Sequence, residues 1–175
     1  MERLPAKFEA LFPGPKPVKG KYEVKSMSPY RIHQRCADTF RKGRVVLAGD
    51  AAHLCNPFGG TRFFTSDLTS GLGLTGGMLD AGCLADAFEG IYNENQPDSI
   101  LTKYSEIRRD IYKKYTDPWS QENVKRLYSL NPETAKDDPF MKAVNNAQHD
   151  PEARKAFLAR PQLLRVDIRD FFVKA

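Results

Sequence analysis

The sequence predicts an α/β fold, a small piece of sheet followed by a mostly α-helical C-terminal region, and three observations carry that expectation. Val45 to Ala48 is a continuous apolar run with two β-branched residues between Gly43 and Gly49, the pattern of a strand buried on both faces. Met78, Ala81, Leu84, Ala85, Phe88, Ile91 and Tyr92 recur at helical spacing. Beyond Asp98, apolar residues return every three or four positions in segments punctuated by prolines and acids.

Taken in order, residues 4–12 form a short helix ended by Pro13-Gly14-Pro15. Residues 21–32 are extended, with Tyr22, Val24 and Ser26 alternating against Glu23, Lys25 and Met27, and Pro29 edges the run. So abrupt a start predicts that preceding structure is missing. The strand at 45–48 follows, then loops at 56–60 and 69–77. A helix covers 78–92, with Asp80 placed early, where an acid favours the dipole, and with Met78 and Phe88 in the core. Asp98 or Ser99 caps a helix that runs to about Tyr115 and stops before Pro118, its stripe made by Leu101, Tyr104, Ile107, Ile111 and Tyr115. Shorter helices are expected at 118–130, 138–148 and 151–159.

Composition narrows the function classes. A 41% hydrophobic and 28% charged chain is ordinary for a globular protein, and no apolar run approaches the roughly 18–20 residues that span a bilayer. Residues 1–20 lack the pattern of a signal peptide, so a cytoplasmic location is expected. Cys36, Cys55 and Cys83 offer neither a disulfide framework nor CxxC, and His33, His53 and His149 have no metal-ligand spacing, so no metal is expected. The net charge of +5 hides an acidic middle: residues 45–100 carry one Arg against seven acids, between basic flanks. That segment would repel a phosphate backbone, which argues against nucleic acid.

The same acidic segment holds the chemistry. Asp50 follows the strand end, where open α/β sheets place ligand-binding side chains, and its carboxylate can accept hydrogen bonds from sugar-type hydroxyls. Gly49, Ala51 and Ala52 are small enough for a flat ligand to approach the backbone. The glycines at 73, 76 and 77 leave N–H groups bare near a helix start, a site that stabilises negative charge.

The string Gly43-Arg44-Val45-Val46-Leu47-Ala48-Gly49-Asp50-Ala51-Ala52-His53, followed by Pro57, glycines and Asp80-Ala81, resembles the second FAD motif of group A flavin monooxygenases of aromatic-hydroxylase type. In that family the order is GDAAH, then PxxGQGxN, then a helix bearing Asp-Ala. The resemblance covers about sixty residues and implies a partial FAD-binding domain (GR2-like) at 33–92, preceded at 1–32 by the tail end of the substrate-side sheet region and followed by the helical region at 93–175. It gives Asp50 the ribitol of FAD, and it sets Gly49 and Ala51 beside it. It puts Pro57, Gly60 and Gly73 along the flavin ring, and Leu74 and Thr75 at a helix opening aimed at the ring's pyrimidine side. The function implied is hydroxylation of a small organic substrate: NAD(P)H reduces FAD and O₂ adds to the flavin as a hydroperoxide, with the flavin doing the bond chemistry. Neither the substrate, the catalytic residues nor the oligomeric state is readable.

The sequence also departs from the family pattern. Gly71-x-Gly73-x-x-Gly76 spells GxGxxG, but no strand precedes it and the resemblance sets it by the ring, so it is read as a decoy. The family's true GxGxxG and its ribose-binding acid do not occur. Residues 61–71 interrupt the PxxGQGxN element, Leu72 stands where Gln is usual and Thr75 where Asn is. These departures favour a fragment that is inactive alone, or a non-catalytic remnant or interaction module that does not grip FAD tightly. His53 reads as a structural turn residue, Cys55 and Cys83 as small buried side chains, and Asp80 and Asp86 as helix-face acids in the bland reading.

Overall fold

The computed structural model describes residues 28, 31–56, 71–129, 131 and 133–174. The chain divides into two compact units, Met1–Arg31 and Ile32–Ala175, and the description below concerns the second. The expected helix at 4–12, most of the extended run at 21–32, Pro57, Gly60 and nearly all of the interruption at 61–71 lie outside the described residues.

Two short antiparallel pairs begin the second unit. β1 (Arg35–Cys36) pairs with β4 (His53–Leu54), Cys36 opposite His53, and β2 (Arg41–Lys42) pairs with β3 (Val45–Val46). Gly43 closes the second hairpin at φ +61°, a conformation that favours glycine in a two-residue turn. The expectation of a strand buried on both faces fails here. Val45 is 64% exposed, because a two-stranded ribbon has one face on the core and one in solvent, whereas a central strand is covered twice.

Helices make up most of the rest. α1 (Leu72–Asn93) is followed by α2 (Ile100–Ile111), a π-turn over Tyr112–Thr116 and α3 (Asp117–Ser129). α4 (Pro139–His149) and α5 (Pro151–Ala159) pack on each other, and 3₁₀ turns at Arg160–Leu164 and Ile168–Phe171 follow. Asp138 and Asp150 cap α4 and α5 by accepting hydrogen bonds from first-turn N–H groups, each with proline at the next position, the start signal that the sequence carries.

Two boundaries differ from expectation. α1 starts at Leu72, six residues before Met78, so much of the glycine stretch is helix, not loop. The helix after Ser99 does not stop before Pro118. The π-turn bonds Asp117 N–H to the Tyr112 carbonyl, five residues back, and this widened turn carries the chain past a residue that lacks an N–H.

The core joins Phe40, Ala52, Cys83, Ala87, Tyr104 and Ile168, with Leu101 and Ile100 at its edge, so α1, α2 and the Ile168 turn close over the 40–52 segment. Met78 (68% exposed) and Phe88 (40%) lie outside it, contrary to the core assignment. The buried residues of α1 are instead Gly76, Asp80, Cys83, Ala87 and Gly90.

Candidate functional site

Gly49–Ala51 forms a single 3₁₀ turn, closed by Ala52 N–H donating to the Gly49 carbonyl at 2.8 Å. Gly49 sits at φ +59°, where a side chain would be strained. Asp50 rides on this turn, exposed, with no hydrogen bond or ion pair among the described residues.

The turn and the strand after it lie along the glycines of α1. A Cβ on Gly77 would stand 3.2 Å from the Gly49 Cα, one on Gly76 3.2 Å from the His53 ring, and one on Gly73 3.4 Å from the Cys55 sulfur. Gly73 and Gly76 of the literal GxGxxG therefore make room for the Cys55 and His53 side chains, and Gly77 for the Gly49 backbone.

Beneath the turn is a buried charge cluster. Asp80, fully buried, accepts from the Gly49 N–H at 3.0 Å and from His53 Nε2 at 2.7 Å through one oxygen, and from Arg108 Nε at 2.6 Å through the other. Arg108, 3% exposed, also donates to the Leu164 carbonyl at 2.8 Å and to the Gly76 carbonyl at 3.3 Å. Burial pushes the Asp80 carboxyl up, but the His53 hydrogen bond and the Arg108 charge outweigh it and hold the group below the usual carboxylate range. Asp80 is thus neither near the helix start nor a surface acid. It stands in the third turn of α1, turned inward, because α1 begins earlier and Arg108 supplies a partner. Asp86 is the surface acid, paired with Arg169 at 2.8 Å.

α2 and the π-turn carry polar side chains that reach this segment at helical intervals. Ser105 Oγ accepts from the Phe40 N–H at 2.8 Å, Tyr104 donates to the Leu47 carbonyl at 2.9 Å, and Tyr112 to the Leu54 carbonyl at 2.7 Å. Burial raises both tyrosine pKa values, so both remain donors. His53 is stacked on Tyr112 with centroids 4.8 Å apart. Burial pushes the Cys83 thiol up to about 11 and raises Cys55 too, which keeps both sulfurs protonated and unreactive at neutral pH.

Of the residues picked from sequence, Gly49, Asp50 and Ala51 share the turn, and Gly73, Leu74 and Thr75 share the first turn of α1. Leu74 is 65% exposed, whereas Thr75 turns toward a cavity of about 310 Å³ whose walls include Leu72, Trp119, Phe140 and Arg160 and do not include Asp50. Pro57 and Gly60 lie outside the described residues. Arg108 was not singled out from sequence. The available signal was an arginine on the apolar stripe between Tyr104 and Ile111, a placement that demands a buried partner.

Residues 13–118 match the FAD binding domain family. The chain is 41% identical over 141 residues to a para-nitrophenol 4-monooxygenase of a Pseudomonas species, covering 80% of this chain and 32% of that protein. It is 36% identical over 138 residues to a 6-hydroxy-3-succinoylpyridine 3-monooxygenase of Pseudomonas putida, covering 79% and 32%. The solved p-nitrophenol 4-monooxygenase of Pseudomonas putida superposes with a TM-score of 0.69 at 38% identity, over 93% of this chain and 38% of that one. The chain spans about a third of the length of these relatives. Among the described residues no helix is long and apolar enough to cross a membrane.

Proposed function

The chain belongs to the FAD-binding family of group A, aromatic-hydroxylase-like monooxygenases, and on that premise we propose that it supplies the ribitol-and-ring side of an FAD site in an enzyme that hydroxylates a small aromatic compound. The observation that carries the reading is Asp50: an exposed carboxylate, without a partner among the described residues, on a turn pinned from below. Such a group is available to ribitol hydroxyls, and charge-assisted hydrogen bonds of this kind orient a ligand strongly.

The residues present fit the cofactor. Gly49 and Ala51 leave the turn's surface low, and Gly71, at φ +77°, opens α1 as an N-cap residue without a side chain to accept from the first N–H groups. Gly73, Leu74 and Thr75 follow, and the positive end of this 22-residue helix is proposed to face the electron-rich side of a flavin ring. Pro57 and Gly60 are proposed to border the same ring. When bound, the flavin supplies the redox chemistry, using NAD(P)H as reductant and O₂ as the source of the inserted oxygen. The chain's own part is orientation and electrostatics. The acidic character of residues 45–100 suits a small-molecule substrate over nucleic acid, and a cytoplasmic location is part of the proposal.

The test is titration of FAD into the purified chain, followed by flavin fluorescence. Asp50→Ala is expected to weaken binding by about 1–3 kcal/mol, the scale of a lost charge-assisted hydrogen bond. An unchanged dissociation constant removes Asp50 from the site. Binding by this chain alone is expected to be weak, since it spans about a third of its relatives, and flavin fluorescence untouched even at saturating concentrations favours the non-catalytic module for this chain taken alone.

A further inference from the structure

We infer that Arg108 is a positioning residue for the flavin-facing turn: among the described residues it bonds to Asp80, Gly76 and Leu164 and to none of the proposed cofactor site, yet it sets the direction in which Asp50 points. Asp50 has no side-chain anchor among the described residues, so its direction is inherited from the Gly49–Ala51 backbone. Gly49, at φ +59°, lacks the side-chain restraint that would hold that backbone in place. Beyond the Ala52–Gly49 bond that closes the turn, what ties it to α1 is the Gly49 N–H on Asp80 Oδ2. The rotation of the Asp80 carboxylate is in turn fixed at its other oxygen by Arg108 Nε, while the two outer nitrogens of the same guanidinium grip the Gly76 and Leu164 carbonyls.

One planar fork thus ties four segments together: the motif turn, α1, α2 and the 3₁₀ turn of Arg160–Leu164. A lysine cannot reproduce this. Its ammonium is a single point on a flexible stem and cannot present three donors in a fixed plane to acceptors on three sides. His53 bonds to the same oxygen that holds Gly49 and so helps to fix its position. The inference deepens the flavin reading and depends on it only where ligand affinity is measured.

The experiment uses the full chain and two variants. In Arg108→Lys, amide hydrogen exchange is followed residue by residue. The Gly49 amide is expected to exchange at least about tenfold faster, while amides of α4 and α5, which do not touch the cluster, keep their rates. Because Arg108→Lys can impair folding as a whole, Asp80→Leu/Arg108→Met replaces the buried pair with apolar residues, a change such pairs tolerate with little loss of stability. That variant is expected to fold and to leave Gly49 unprotected. Protection of Gly49 at the wild-type level in either folded variant overturns the inference.

The second readout is the FAD dissociation constant in a double-mutant cycle. If Arg108 acts through the turn, Asp50→Asn costs roughly tenfold in the wild-type background but less than about threefold beside Arg108→Lys, since the carboxylate is already misdirected. Effects that simply multiply mean that Arg108 contributes only bulk stability. If the wild-type chain binds no FAD, the flavin reading fails, and the Gly49 amide alone decides the positioning role.

Discussion

One face of α1 carries Gly73, Gly76, Gly77, Asp80, Cys83 and Gly90 and lies against the motif strand, α2 and the C-terminal segment. The opposite face carries Leu74, Met78, Phe88 and Tyr92, which are 65%, 68%, 40% and 84% exposed. The inner face is small and charged with Leu84 and Ile91 packed half-buried beside it, while four large apolar residues lie outside, so hydrophobicity alone misplaces much of this helix. Two physical requirements decide it. A Cβ at Gly77 would press on the Gly49 backbone at 3.2 Å and one at Gly76 on the His53 ring at 3.2 Å, so the inner face favours glycine where the 49–55 segment comes nearest. The charge of Asp80 can be buried because Arg108, His53 and a backbone N–H satisfy it together.

The contrast can be broken most severely at the charge. Asp80→Ala leaves Arg108 buried without its acid and is expected to cost about 3–5 kcal/mol, measured by urea denaturation. A loss below about 1 kcal/mol would mean that the cluster is solvated, not buried. The same interaction has a pH signature. Asp80 titrates lower folded than unfolded, so its contribution is fully present above the unfolded carboxylate value of about 4 and is lost as pH falls further, through the folded pKa. Asp80→Asn should flatten that acid limb of the stability curve. An unchanged limb would place the titration elsewhere.

A smaller effect is expected where the buried face is tight. A Cβ at Gly90 would run into the Phe172 ring, so Gly90→Ala should destabilise by about 1–2 kcal/mol even though alanine is the better helix former. A gain in melting temperature would show that Phe172 swings aside freely. On the exposed face the smallest change is expected: Met78→Ser or Tyr92→Ser should alter stability by no more than about 0.5 kcal/mol. A loss of several kcal/mol in the isolated chain would show that this face is covered in solution, and sedimentation would identify self-association as the cover.

Much of the architecture was legible before any coordinates. The Asp138-Pro139 and Asp150-Pro151 pairs announced α4 and α5 to within a residue or so, because capping is local chemistry between a side chain and the next three amides. The GDAAH string and its sequel identified the family, because a backbone turn that must approach a ligand tolerates few residues. The stripe on α2 was legible too, with Leu101, Tyr104 and Ile111 buried. His53, read as a structural turn residue, sits instead in strand β4, buried and held by Asp80.

What the tertiary structure alone decided is of a different kind. Val45 was expected to be covered on both sides, but coverage depends on how many strands lie beside it, which the residue does not encode. Pro118 was expected to end a helix, but a π-turn supported by packing of Tyr112 and Thr116 carries the chain through. Asp80 was read from its helix position alone, and its meaning changed when an arginine 28 residues later was brought to 2.6 Å. The sequence by itself determined the local chemistry: caps, periodicities and a motif whose residues bond to their near neighbours. Which face of α1 is buried, and which charge is held beneath the Asp50 turn, depend on partners distant in the chain, and only the closed fold brings those together.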